Sequence, residues 1–359
     1  MRGYRDRDFM ESVEGLMFCV IGNVHPSNRV VSFLKYVPNY DSPIRVKWSR
    51  NGIRYGRILP YYSAMGVKHT LEFLKKHYPE YIVFDKYRQV ELIEVPKDRI
   101  KVHYRPEERL QEILDNPTDP LEEMIRELVI RISEESGISL KYFGVTGSIL
   151  LRIHNLKYSD IDLIVYGKEN SYKVKEAILR LLDDPKSPFS RPYGSILEEW
   201  AKDITRIHPL TLEEAKILYG KYKWNRILYR GRQFSIHPVK LENEVNEKWE
   251  HKIHKPIGIV ELRARVVDAS DSLFMPAVYL VDNVEILNGA RPPKPIDRVV
   301  SYEGLYFDIA GEGEEILVKG KLELVNDVGT NEAYCQVTVG TFEAKGEDYI
   351  KPAKWLKDS

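Results

Sequence analysis

Residues 142–166 read YFGVTGSILLRIHNLKYSDIDLIVY, and the rest of the chain is placed around them. An aromatic and apolar run at 142–145 leads into Thr146-Gly147-Ser148 and then Ile149-Leu150-Leu151. The order reads as strand, tight turn and helix start. Glycine at such a turn lets backbone approach a ligand closely, and the free amides of a helix N-terminus favour an anion. Gly147 and Ser148 are therefore candidate phosphate-binding residues. Ser159-Asp160-Ile161-Asp162 then alternates polar and apolar residues before an unbroken apolar run at 163–166. That pattern is a strand whose first half carries two carboxylates.

Side chains two apart on a strand share a face, so Asp160 and Asp162 are expected to present their oxygens side by side. Adjacent carboxylates repel, and burial strengthens the repulsion. A divalent cation that prefers oxygen, Mg²⁺ first or Mn²⁺, relieves it and bridges to substrate phosphates. Asp160 and Asp162 are thus candidate metal ligands and catalytic residues. Two surface aspartates at the start of an exposed strand are the plain alternative.

The Gly147-Ser148 turn, a spacer through Tyr158, and Ser159-Asp160-Ile161-Asp162 together resemble the signature of the DNA polymerase β-like nucleotidyltransferase superfamily. The resemblance spans roughly residues 121–241, and the flanking regions are similar to uncharacterised archaeal proteins that carry this domain. It implies a small mixed sheet flanked by helices, NTP and Mg²⁺ as ligands, and transfer of a nucleoside monophosphate to an acceptor such as RNA. By the same resemblance Gly147 and Ser148 hold the triphosphate, while Asp160 and Asp162 hold metal.

The whole chain sets wider bounds. Its 359 residues suffice for two or three cores, and 43% hydrophobic content suits a globular α+β protein. Lys+Arg and Asp+Glu number 54 each, so any nucleic-acid partner has to be met by a local patch. Charged residues make up 30% of the chain, and glutamine occurs only at positions 89, 111, 233 and 336, a thermophile-like composition. Cys19 and Cys335 stand alone, without C-x-x-C spacing, so neither a disulfide framework nor a zinc site is indicated. No apolar leader or membrane-length run is present, and a cytoplasmic protein without a membrane partner is expected.

Residues 1–115 read as an N-terminal α+β domain. Runs at 16–21, 30–37, 44–48, 54–58, 82–84, 90–95 and 100–104 are strand-like, with helices at 67–78 and 105–114. His25 and Arg29 sit in a polar loop, better read as a hairpin connection than as a phosphate site. Tyr55, Tyr61, Tyr62 and Tyr78 lie among Arg54, Arg57, Lys68, Lys75 and Lys76. Core tyrosines with solvated lysines explain that mixture better than a nucleic-acid surface does.

Residues 119–255 form the nucleotidyltransferase-like region. Asp119 fits an N-cap, Pro120 the first helical position, and the apolar stripe from Leu121 to Ile132 stops near Gly137. Asn170 or Ser171 is expected to cap a second helix. Pro185, Pro188 and Pro192 mark a loop, and Thr211-Leu212-Glu213-Glu214 has a capping-box pattern. Residues 224–229 and 233–239 read as a hairpin turning at Arg230-Gly231-Arg232.

That hairpin bears on catalysis, because the superfamily carries a third carboxylate on a strand beside the D-x-D strand. The register here offers Ser235 in its place, a departure that puts two-metal catalysis in doubt. His237, on the same strand face, is a candidate general base with a pKa expected near neutrality, and a polar residue under the sheet is the alternative. Lys221, Lys223, Arg226, Arg230 and Arg232 cluster around the turn. Arg230 and Arg232 are candidate substrate contacts, and a solvated basic surface is the alternative. His251 and His254 have no third ligand beside them and read as solvated.

From position 256 to 359 the pattern turns to alternation and turns, as in a β-rich barrel or sandwich. The functional expectation is an Mg²⁺-dependent nucleotidyltransferase acting on an unidentified acceptor. A nucleotide- or RNA-binding protein that lost turnover, and a structural protein with a fortuitous D-x-D, are the alternatives.

Overall fold

The computed structural model describes residues 2–40, 48–59 and 61–356. Three sheets organise a mixed α+β chain.

The first sheet runs Trp48–Arg50, Ile53–Gly56, Arg29–Pro38, Met17–Val20, Phe9–Ser12 and Ile100–Tyr104, with Val90–Pro96 also on Arg29–Pro38 and Ile82–Asp85 beyond it. Asn51 and Gly52 turn the short outer hairpin at φ 51° and 78°, the left-handed pair a two-residue hairpin turn requires. Of the strand expected at 44–48, residues 44–47 lie outside the described residues. Helix Ala64–His77 starts where the Ser63 hydroxyl accepts from the Gly66 amide, and it buries Leu71 and Leu74 against Leu34 and Val37. Helix Pro106–Asp115, expected to close this region, packs on the next sheet instead. Its Leu110 and Ile113 are buried with Leu121 and Ile125, and Pro106 presses on Gly144, where any Cβ would lie 2.7 Å from the proline Cβ.

The second sheet has the order Phe189–Ser190, Arg226–Tyr229, Arg232–Val239, Ile161–Tyr166, Phe143–Val145. Helix Pro120–Ser136 begins on Asp119, whose carboxylate accepts from the Leu121 and Glu122 amides, and ends on Gly137 at φ 70°. Helix Lys168–Asp183 starts on Gly167, three to four residues earlier than the sequence suggested. Asn170 and Ser171 lie inside its first turn, where Ser171 Oγ donates back to the Gly167 carbonyl and Asn170 Nδ2 to the Tyr166 carbonyl. The proline-rich segment supplies the edge strand Phe189–Ser190, which pairs with Arg226–Tyr229. The capping box at Thr211 and Glu214 forms as expected. Arg230 and Gly231 turn the hairpin at φ 48° and 76°.

The third sheet is C-terminal, and its pairings close into a ring. Lys252–Asp271 pairs with Ala277–Gly289 and with Glu315–Asp327. Ile296–Ser301 and Glu332–Val339 complete the circuit, and Tyr349–Pro352 adds to Glu315–Asp327. Closure leaves few free edges and makes a barrel rather than a sandwich. Val260, Leu262, Ala264 and Val266 alternate into its core, which also takes Trp200, Leu218 and Tyr219 from the second region. After Ser301 the chain leaves the sheet for a turn at Gly304–Tyr306, where the alternation had suggested continued strand. Among the described residues no helix is long and apolar enough to cross a membrane.

Candidate active site

Ile161–Tyr166 lies between two strands, parallel to Arg232–Val239 and antiparallel to Phe143–Val145. Asp162 stands opposite Ser235 in that register. Asp160 precedes the strand and keeps an exposed surface, although protein groups crowd and desolvate its carboxylate. The turn before the motif folds back onto it, with the Thr146 amide donating to the Asp162 carbonyl at 2.8 Å. Gly147, at φ 69°, sits so close that a Cβ there would lie 2.6 Å from Asp162 Oδ2. Glycine is required on both counts. Ser148 is buried, and its hydroxyl donates to Ser159 Oγ at 3.3 Å. The helix that follows is a single turn, Gly147–Leu150, because Ile149, Leu150, Leu151 and Ile153 are all buried and Arg152 reverses the chain at φ 54°. The sequence reading expected a helix N-terminus with its dipole here. One turn carries little dipole.

Ser235 Oγ donates to Asp162 Oδ1 at 2.6 Å. His237 Nε2 is 3.2 Å from Ser235 Oγ and 3.8 Å from the same Asp162 oxygen. Burial alone would raise the Asp162 pKa, but His237, the Lys35 charge and the Ser235 hydroxyl hold it below the usual carboxylate range. Asp160 goes the other way, raised first by desolvation and then by the Asp162 charge. Burial, followed by the Arg7 charge, pushes His237 down to about 4. The expectation of a near-neutral base is thereby corrected: His237 is neutral at physiological pH and weakly basic. Gln233 Nε2 donates to Asp160 Oδ2 at 3.2 Å.

The first sheet reaches this site. Phe9, Met17, Cys19, Phe33, Tyr36 and Trp48 pack in one apolar cluster with Leu150, Leu151 and Ile153. Thr146 Oγ1 donates to the Arg7 carbonyl at 2.7 Å, and Arg50 Nη1 to the Leu151 carbonyl at 3.2 Å. Three cations come with it. Arg7 acts electrostatically on Asp162, Arg57 on Asp160, and Lys35 on both. Arg57 stands out in the sequence among the tyrosines at 55–62, whereas Arg7 and Lys35 do not. The available signal was Lys35 itself, a lysine inside the otherwise buried strand Arg29–Pro38.

On the other side of Asp160 lies a recess of about 700 Å³ lined by Lys157, Tyr158, Arg226, Arg230, Arg232 and Gln233, among others. Arg230 pairs with Glu127 at 2.5 Å, and Arg232 donates to the Ser159 and Leu156 carbonyls at 2.9 Å each, bracing the motif loop. Lys223 points away, donating to the carbonyls of Gly304, Leu305 and Phe307. The basic run is therefore split among three tasks.

Elsewhere, Asp119, Glu122 and His154 bring ligand-type atoms within 4.8 Å of one another. Most of their valences are used, since His154 Nε2 bonds Asp119 at 2.7 Å, the other Asp119 oxygen caps a helix, and Arg109 and Thr118 hold Glu122, while His154 Nδ1 is buried without a partner. His25 bonds the Tyr4 carbonyl and Val31 amide, and Arg29 the carbonyls of Glu80 and Glu94. His254 is not solvated as the sequence suggested. It lies on the barrel strand 3.2 Å from buried Glu323.

The chain is 35% identical over 351 residues to the uncharacterized protein MJ1086 of Methanocaldococcus jannaschii, a match covering 97% of this chain and 98% of that protein. It belongs to the MJ1086 family. The similarity to MJ1086 runs through all three sheets, so the N-terminal wall, the carboxylate strand and the barrel fall within one matched length. No family model matches the sequence, and no solved structure matches the chain.

Proposed function

We propose that the protein is a divalent-metal-dependent nucleotidyltransferase whose reaction centre is Asp160 and Asp162. The observation that carries this reading is the convergence on Asp162: Gly147 of the Gly-Ser turn rests against one of its oxygens and Ser235 of the parallel strand against the other. Turn, carboxylate strand and neighbouring strand thus meet where a metal-bound triphosphate would react.

The donor set suits one oxygen-preferring ion. Asp160 lies at the exposed end of the strand, Asp162 is ionised, and Ser235 offers a hydroxyl where a third carboxylate would stand. Asp160 and Asp162 would hold Mg²⁺ or Mn²⁺, which when bound would neutralise charge on the reacting phosphates. The chain's own part is positional. Ser235 and His237 orient Asp162, Gly147 leaves room beside it, and Arg232 braces the loop that carries Asp160. Incorporation of labelled NMP from each NTP, with Mg²⁺ or Mn²⁺ and with RNA, DNA, protein and small-molecule acceptors, tests the reading. Absence of incorporation with every acceptor, together with NTP binding that needs no metal, would overturn it.

Ser235 favours one second reading, a nucleotide- or RNA-binding protein without turnover. Metal-dependent NTP binding with no incorporation is its expected signature.

A further inference from the structure

Lys35 is 7% exposed on a strand buried along almost its whole length. Its ammonium lies 5.1 Å from the Tyr62 ring centroid, 5.3 Å from Phe9 and 5.9 Å from Tyr36. Among the described residues it makes no hydrogen bond and no ion pair. A buried ammonium left with only ring faces for partners is costly. Arg7 repeats the theme from a different element. It stands at φ 68°, a position L-residues rarely adopt, with its carbonyl tied to Thr146 and its buried Nε facing only a long, poorly aligned contact to Asp6. Asp6 offers Arg7 one oxygen at 3.4 Å, and desolvation leaves the Asp6 carboxyl above its ordinary range. Arg226, at the recess beyond Asp160, has a buried Nε without an acceptor.

These cations converge on one place. Thr146 donates its hydroxyl to the Arg7 carbonyl and its amide to the Asp162 carbonyl, and Arg226 and Asp160 line one recess. The charges of Lys35 and Arg226 act on Asp160 and those of Lys35 and Arg7 on Asp162. The apolar cluster that joins Phe9 and Tyr36 to Leu150, Leu151 and Ile153 fixes Lys35 against the motif. Two carboxylates do not use up this many donors. Orphaned cationic donors around a carboxylate pair leave room for a multiply charged anion carrying its own divalent ion.

We propose that the N-terminal sheet is the second wall of the active site, with Lys35 and Arg7 as direct contacts for a polyphosphate chain bound against Asp160 and Asp162. The inference rests on the active-site reading for where the anion lies, and it is tested apart from turnover. The probe is inorganic tripolyphosphate with Mg²⁺, titrated calorimetrically into the full chain, alongside NTP and the uncharged nucleoside. Lys35→Met keeps the length and packing of the side chain and removes its charge. Tripolyphosphate and NTP affinity should fall roughly 10- to 100-fold, the range expected of a charged hydrogen bond. Nucleoside affinity and melting temperature should stay near wild type, and Lys35→Arg should restore most of the loss. If Lys35→Met does not fold, Lys35→Gln carries the same test.

Wild-type failure to bind tripolyphosphate overturns the proposal, as does equal affinity in Lys35→Met or an equal loss for nucleoside and tripolyphosphate. Lys35-dependent tripolyphosphate binding without any NMP incorporation sustains the proposal while the transferase reading falls. Incorporation that survives Lys35→Met unchanged does the reverse.

Discussion

Ser235 Oγ stands 2.6 Å from Asp162 Oδ1, in register on the adjacent parallel strand, so the position a third carboxylate would take is filled by a donor. A hydroxyl there stabilises ionised Asp162, whereas a carboxylate would repel it in the absence of metal. Ser235→Asp should therefore lower the melting temperature in metal-free buffer by several degrees and bind Mn²⁺ more tightly than wild type. Added Mn²⁺ should close the gap. Calorimetric melting with and without the ion checks both halves, and a variant stabler than wild type without metal would contradict the geometry.

Gly147 is constrained twice, by φ 69° and by Asp162 Oδ2 at 2.6 Å from its would-be Cβ. Gly147→Ala should cost roughly 1–2 kcal/mol in backbone strain alone and displace the carboxylate as well. Ser148→Ala removes only a 3.3 Å hydroxyl contact to Ser159, worth roughly 1 kcal/mol. Metal-dependent nucleotide binding should suffer more from the glycine change, as parallel titrations of both variants would reveal.

His237 has its pKa pushed down to about 4, below the ordinary histidine value of 6.5. The unfolded chain then binds the proton more readily than the folded one. Stability contributed by neutral His237 is present above about pH 6.5 and is lost as pH falls toward 4. His237→Asn should flatten the fall in melting temperature between pH 6.5 and 4. In a transfer assay, His237→Ala should lower turnover with little change in nucleotide affinity, and no inflection belonging to this group should appear above pH 5.

Local chemistry was legible in the sequence wherever a few adjacent residues decide the outcome. Asp119-Pro120 started its helix, Thr211 and Glu214 closed their capping box, and Arg230-Gly231 turned a hairpin whose register set Ser235 opposite Asp162. What the sequence concealed depends on distant partners. Helix Pro106–Asp115 has the same apolar stripe whichever sheet it covers, and only the close approach of Pro106 to Gly144 assigns it. Lys35 and Arg7 precede the motif by more than a hundred residues, and no local pattern links them to Asp162. Arg230 and Arg232 looked like free cations because Glu127 and the Ser159 carbonyl are remote in sequence.

Glu303 joins the barrel to the first sheet, accepting from the Ala64 amide at 2.7 Å while only 7% exposed. Burial, assisted by the Asp348 charge, raises its pKa to about 8 from 4.5. The folded state keeps a proton that the unfolded state releases, so this group's contribution is fully present below about pH 4.5 and is lost as pH rises toward 8. Glu303→Gln preserves the acceptor without the charge. At pH 8.5 it should melt several degrees above wild type, and at pH 5 the two should coincide. Coincidence at both pH values would place the Glu303 carboxylate in a better-solvated setting than the barrel gives it.

Asp160 and Asp162 should respond oppositely to neutralisation, although both would be needed to hold metal. Asp160 is raised by desolvation and by its neighbour, so its charge is a burden on the metal-free fold. Asp162 is lowered, because Ser235, His237 and Lys35 support its ionised form against burial. For Asp160 the folded pKa exceeds the unfolded one, and ionisation costs stability as pH rises through that interval. For Asp162 the ionised form adds stability above the unfolded pKa, and acid removes it. Asp160→Asn should thus leave the melting temperature unchanged or raise it by a degree or two. Asp162→Asn should lose roughly 1–3 kcal/mol, since it gives the Ser235 hydroxyl a neutral acceptor in place of a charged one and leaves Lys35 and Arg7 facing one carboxylate fewer. Both variants should lose metal-dependent NTP binding. Melting curves in chelator, followed by NTP titrations with and without Mg²⁺, separate the effects. Equal destabilisation by the two substitutions would mean that the pair shares its charge support, and the distinct roles assigned to the two carboxylates would fall.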